Sequence, residues 1–134
     1  MTFERTIASD LAMLDALTAD VQAFLAANVA DEDLAFRTAL VTSEAVMNAI
    51  EHGNALDATR QTHVRLDATQ AGRVVVSVAD EGEGFDPAAL PDPLRSDALL
   101  AEGGRGVFLM RELSDDVSFA DGGRCVVLTL SSRP

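Results

Sequence analysis

Helix-type and strand-type periodicities in this chain come in groups and do not alternate, which narrows its fold more than any other feature of the sequence. Leu11, Leu14, Leu17, Val21 and Leu25 recur at steps of three and four behind a capping Ser9 or Asp10, predicting a helix to about residue 28 with one buried face. A short strand over 3–8 precedes it. A second helix is predicted over 31–53, with Phe36, Leu40, Met47 and Ile50 as its apolar arc and Gly53-Asn54 as its stop signal. Strands come next at 63–68 and 73–79, the second rich in valine, joined by the turn Thr69-Gln70-Ala71-Gly72. From 80 to 106 the pattern dissolves into a loop holding three of the four prolines and five of the nine glycines, with room for one helical turn around 96–101. A helix over 107–113 and strands over 117–120 and 124–130, hinged on Asp121-Gly122-Gly123, close the chain. The order α, α, β, β, loop, α, β, β predicts an α+β fold: a two-layer α/β sandwich, mostly antiparallel sheet with helices on one face, and not a doubly wound βαβ fold.

With 134 residues, 48% of them hydrophobic, the chain suits a single domain over 1–134. No run of about 18 apolar residues is present, and the opening MTFERTIASD lacks the regions of a signal peptide, so a soluble, cytoplasmic protein without a membrane partner is expected. A net charge of −12 repels phosphate backbones, which argues against nucleic acid and for a basic patch on a protein partner. Cys125 is the single cysteine; it can make no internal disulfide and fits a small core residue in a strand. All ten basic residues are arginine. Without lysine neither a P-loop nor a eukaryotic-type protein kinase site can be built. If nucleotide phosphates are handled here, backbone N–H groups, magnesium and arginine must do it.

Three segments carry candidate chemistry. In the second helix Glu44 and Asn48 stand four residues apart, roughly 40° around the axis, at the edge of the core. A carboxylate there can act as general base, and an amide oxygen can ligate a hard cation that carries phosphates; both residues equally fit the boundary of an ordinary amphipathic helix. His52 can complement the dipole at the helix end. Next, Asp80 ends a valine-rich strand and is succeeded by Gly82 and Gly84, which let backbone approach a flat ligand while the carboxylate accepts from an exocyclic amine. Adenine is a suitable guest, and an acidic turn is the plainer alternative. Finally, Gly103-Gly104-Arg105-Gly106 opens a helix, where free N–H groups and an arginine can meet phosphates, or where glycines simply form a hinge.

In this order the three segments resemble the N, G1 and G2 boxes of the GHKL (Bergerat fold) ATPase superfamily, most closely its small bacterial anti-sigma-factor serine-protein kinases. The likeness spans roughly 34–130. It implies ATP as ligand with Mg2+ held at Asn48, Glu44 as catalytic base, and Asp80 on the adenine amino group with Gly82 and Gly84 shaping the floor. It further implies an ATP lid over about 86–103, Gly104, Arg105 and Gly106 at the phosphates, and His52 near the nucleotide. One departure stands out: many relatives carry threonine after the paired glycines of the last hairpin, where this chain has Arg124, with a threonine only at Thr129. That departure puts the threonine contact at the adenine site in doubt.

The resemblance implies an ATP-dependent serine/threonine kinase and anti-sigma factor that phosphorylates an anti-sigma antagonist, can bind a sigma factor, and forms a homodimer through the N-terminal strand and first helix. The alternative is a nucleotide-binding module that captures a protein partner without phosphotransfer. The catalytic half of a histidine kinase fits less well, because His52 and His63 are the only histidines and neither lies on a separate dimerisation hairpin. A GHKL motor would need a transducer domain.

Overall fold

The computed structural model describes residues 1–82 and 104–134. The predicted lid, Gly84 and the helical turn at 96–101 lie outside those residues. Five strands form one sheet in the order β1-β2-β3-β5-β4, every neighbouring pair antiparallel: β1 Thr2–Ala8, β2 Gln61–Asp67, β3 Arg73–Ala79, β4 Asp116–Ala120 and β5 Cys125–Ser131. Among the described residues three helices, α1 Leu14–Asn28, α2 Glu32–Asn48 and α3 Gly104–Leu113, cover one face. The predicted α+β sandwich is the observed one.

Strand alternation puts Val64, Leu66, Val74, Val76, Val78, Leu128 and Leu130 under the helices, each at most 2% exposed. Burial on that scale contributes about 1.5–3 kcal/mol per side chain, which makes the β2-β3-β5 centre the anchor of the fold. Phe3 and Ile7 of β1 join the same core, as do Leu17, Val21 and Leu25 of α1. Among the described residues no helix is long and apolar enough to cross a membrane.

Two local expectations are corrected. Leu11, placed by its spacing in the buried stripe of the first helix, is 42% exposed. The reason is the cap: Asp10 accepts from the Ala12 N–H at 2.9 Å and sets a 3-10 turn, Leu11–Met13, before α1 begins. In α2 the expected apolar arc fails at Phe36, which is 67% exposed. The buried arc is Leu34, Arg37, Thr38, Val41, Thr42, Ala45 and Val46. α2 packs against α1, α3 and the sheet at once, so its polar residues must be buried too. They are satisfied locally, with the Thr38 and Thr42 hydroxyls donating to the carbonyls four residues back, each at 2.7 Å. Asp31 caps this helix through the N–H groups of Asp33 and Leu34.

Arg37 is 2% exposed. Its guanidinium donates to Asp33 Oδ2 at 2.8 Å, to the Leu113 carbonyl at 3.1 Å and to the Ser131 carbonyl at 2.8 Å. One side chain thereby fastens α2 to the last turn of α3 and the end of β5.

Past Asn48 the helix loosens into one π-helical turn, Ala49–Gly53, in which the Asn54 N–H reaches the Ala49 carbonyl five residues back at 2.8 Å. Ala55 and Leu56 then take left-handed conformations, φ 52° and 59°, that turn the chain toward β2.

Candidate functional site

The α2 terminus, the segment after β3 and the start of α3 carry the predicted site residues. Glu44 and Asn48 are half-buried on the last turn of α2, on the side that α3 packs against. A methyl group placed on Gly106 would lie 3.0 Å from Glu44 Oε2 and 3.1 and 3.3 Å from Asn48 Nδ2 and Oδ1. The first turn of α3 thus sits directly on the carboxylate and the amide. Gly104, Arg105 and Gly106 all belong to that turn.

The second cluster forms around Asp80, one rung beyond the last β3-β5 pair, Ala79 with Cys125. The segment from Asp80 to Gly82 is held at four points. The Asp80 N–H donates to the Arg124 carbonyl at 2.9 Å, the Glu81 N–H to Asn54 Oδ1 at 2.8 Å, and the Gly82 N–H to Asp80 Oδ1 at 2.8 Å. The Gly82 carbonyl accepts from Arg124 Nε at 2.7 Å. Gly53 lies against Asp80 so closely that a Cβ on Gly53 would collide with the carboxylate, and one on Gly82 would collide with the Gly53 carbonyl. The end of the π-turn and the segment after β3 therefore touch backbone to backbone.

Burial pushes the Asp80 carboxyl above its usual range, opposed by the Gly82 N–H and by the charges of Arg124 and Arg60. A carboxylate with one oxygen held by its own loop, and with no hydrogen bond to the other among the described residues, is equipped to accept one from a ligand. Burial also pushes the Cys125 thiol up, ahead of the effects of Asp121 and Asp80. Cys125 is half-buried on the sheet face away from the helices, so it is no member of the core cluster.

His52 is exposed, with Nε2 3.9 Å from the Glu51 carboxylate in its own turn. Among the described residues no hydrogen bond ties it to the other predicted positions. Sequence reasoning missed Asn54, read only as a stop signal. It is 0% exposed and its amide donates to Ser9 Oγ at 2.6 Å, the Gln61 carbonyl at 2.9 Å and Thr62 Oγ1 at 3.3 Å, while its oxygen holds Glu81. An asparagine next to a helix-stop glycine gives no sign of such burial before β1 and β2 are brought beside it.

An antiparallel sheet with helices on one face, and a polar edge built where one helix ends, a central strand ends and another helix begins, define a GHKL-type ATP-binding domain. The chain belongs to that superfamily's histidine kinase-like ATPase domain family, whose model matches residues 7–130. It is 33% identical over 97 residues to the serine-protein kinase RsbW of Bacillus licheniformis, covering 67% of this chain and 60% of the relative. The serine-protein kinase RsbW of Bacillus subtilis (strain 168) is 33% identical over 84 residues, covering 58% and 52%. The chain thus spans somewhat over half the length of these curated relatives. Among solved structures, the histidine kinase domain from Erythrobacter litoralis EL346 blue-light activated histidine kinase aligns with a TM-score of 0.49 and 24% identity, over 72% of this chain and 43% of that one.

Proposed function

We propose that this domain binds ATP with magnesium and transfers the γ-phosphate to a serine or threonine of a regulatory protein, in the manner of an anti-sigma-factor kinase acting on its antagonist. The observation that carries the reading is the seating of Gly106 on Glu44 and Asn48, which sets the carboxylate and the amide beside the turn that opens α3, where a phosphate would be in reach of both side chains and of backbone N–H groups. The two relatives named serine-protein kinases support the choice of acceptor.

In this assignment Asp80 accepts from the adenine amino group, and Gly82, packed against Gly53, forms part of the floor beneath the base. The N–H groups at the start of α3 bind phosphate oxygens, with Arg105 in the same turn. Asn48 Oδ1 is a neutral oxygen suited to a hard cation whose other ligands are phosphate oxygens and water, and magnesium bound there would supply charge neutralisation on the phosphates. Glu44 takes the proton from the acceptor hydroxyl as its oxygen bonds to the γ-phosphorus, and the bond to the β-phosphate oxygen breaks to release ADP. The protein's contribution is positioning and exclusion of water. A sigma factor as alternate partner, and a homodimer, belong to the same proposal.

The test is calorimetric titration with ATP, with and without magnesium, and then phosphate incorporation into a candidate antagonist. Magnesium-dependent binding lost in Asp80→Asn, and phosphotransfer lost in Glu44→Ala with binding retained, are the expected results. Unchanged transfer by Glu44→Ala would remove the base assignment. ATP binding without any transfer would leave a nucleotide-controlled module that captures its partner.

A further inference from the structure

Arg124, placed where many family members carry threonine, holds the base-reading segment from two sides. Its carbonyl takes the Asp80 N–H at 2.9 Å and its Nε gives a charge-assisted bond to the Gly82 carbonyl at 2.7 Å. The side chain is aimed by its own turn: Asp121, Gly122 and Gly123 are all left-handed, at φ 53°, 64° and 88°. This bend returns the Arg124 N–H to the Asp121 carbonyl at 3.2 Å and lets Nη1 rest 3.3 Å from the same carbonyl. The ion pair with Asp121, at 3.9 Å and with Asp121 76% exposed, adds little in water. What distinguishes this arginine is its hold on Gly82.

That hold bears on Asp80. Asp80 Oδ1 is occupied by the Gly82 N–H, and Oδ2, which lies against Gly53, accepts no hydrogen bond among the described residues, so it is the oxygen left for a ligand. The rotation of the carboxylate depends on the position of the Gly82 N–H, and Gly82 is held by Arg124 through the carbonyl of that same residue. We infer that Arg124 is the positioning residue for base recognition, and that preference for a 6-aminopurine nucleotide over a purine lacking that amine depends on its grip on Gly82. This inference rests on the assignment of Asp80 to the adenine amine.

The experiment compares ATP with purine riboside triphosphate, which keeps the phosphates and ring but lacks the 6-amino group, as ligands of wild type, Arg124→Ala, Arg124→Lys and Asp80→Asn at fixed magnesium. Loss of one charge-assisted bond that aims an acceptor weakens ATP about tenfold in Arg124→Ala. Purine riboside triphosphate changes by less than about twofold, because phosphate binding lies elsewhere, and Arg124→Lys recovers part of the preference by offering one ammonium donor. Equal weakening of both nucleotides in Arg124→Ala would reduce Arg124 to scaffold support, and an unchanged preference would overturn the inference; either leaves Asp80 in place. Should Arg124→Ala fail to fold, Arg124→Lys carries the comparison: a preference equal to wild type despite the lost Nε geometry would count against the inference, a reduced one for it. A wild type without preference, or an Asp80→Asn variant with full preference, would instead fell the adenine assignment itself.

Discussion

Replacing Arg37 by methionine isolates what a buried arginine does when its partners are mainly carbonyls. Methionine keeps most of the aliphatic stem, so the core loses little volume, but the Leu113 and Ser131 carbonyls lose their donor. Each buried acceptor left unpaired costs about 1–3 kcal/mol, and relief from holding a desolvated guanidinium returns part of that, for a net loss of about 2–4 kcal/mol. The carboxylate partner is a different matter, because the Asp33 side chain is 60% exposed against 2% for Arg37. Asp33 lies at the solvent end of the pair, where water can take over at the Arg37 Nε, so Asp33→Ala should cost about 0.5–1 kcal/mol, well below Arg37→Met. In urea, where the unfolding slope is typically about 1–3 kcal/mol per molar, Arg37→Met should lower the midpoint by roughly 1–2 M and Asp33→Ala by a few tenths. Equal midpoints for the two variants would refute the reasoning and show that the value of Arg37 lies in its ion pair.

Three further outcomes concern the site. Gly106→Ala should lower ATP affinity in a binding titration, since the added methyl crowds Glu44 and Asn48 at 3.0–3.3 Å, while thermal stability changes by less than about 1 kcal/mol because that crowding offsets the gain in helix propensity; unchanged affinity would remove Gly106 from the phosphate region. Asn54→Ala should cost about 2–4 kcal/mol in urea unfolding by leaving the Glu81 N–H without its acceptor and the Gln61 carbonyl without the amide donor, while the Ser9 and Thr62 hydroxyls keep their bond to each other at 3.1 Å, and a loss below about 1 kcal/mol would show that water replaces the amide. Asp80 gives a pH signature. Burial raises its carboxyl in the folded state above the unfolded value, so its share of stability is complete below the unfolded value and is lost as pH rises through the raised one. Asp80→Asn should therefore match wild type in melting temperature near pH 3 and exceed it at neutral pH, while losing ATP; a gap that closes on going to neutral pH would contradict the sign.

The sheet and its helices were legible because valine-rich strands and three- and four-step leucines report which face is buried, and because each helix end carries its own punctuation. Asp31 and Gly53 mark the two ends of the second helical segment almost to the residue. Phe36 misled for a related reason: an apolar arc assumes one covered side, whereas α2 is enclosed by α1, α3 and the sheet, and Thr38, Thr42 and Arg37 are buried in preference to a phenylalanine. Glu44, Asn48, Asp80 and Gly106 could be chosen because a local spacing or strand end carries each of them. Asn54 and Arg124 could not be given their contacts, since their partners lie up to 45 residues away along the chain and come into reach only when the strands pair. Arg124 was visible as a departure from the family pattern, but not what it grips.

The π-helical turn at Ala49–Gly53 has a bearing on how such a domain can vary. One extra residue in a helical turn rotates the chain beyond it by about 100° around the axis. Asn54 reaches β1, β2 and Glu81 because of that rotation, and the Gly53 carbonyl meets Gly82 because of it. Substitutions here can be graded in effect, but loss or gain of a single residue between 49 and 53 would leave a sound helix pointing its end away from Asp80. The join is therefore constrained in length over all of 49–53 and in identity at Gly53, where any side chain would meet the Asp80 carboxylate, so lineages of this fold should show drift at the exposed His52 long before they show insertions or deletions.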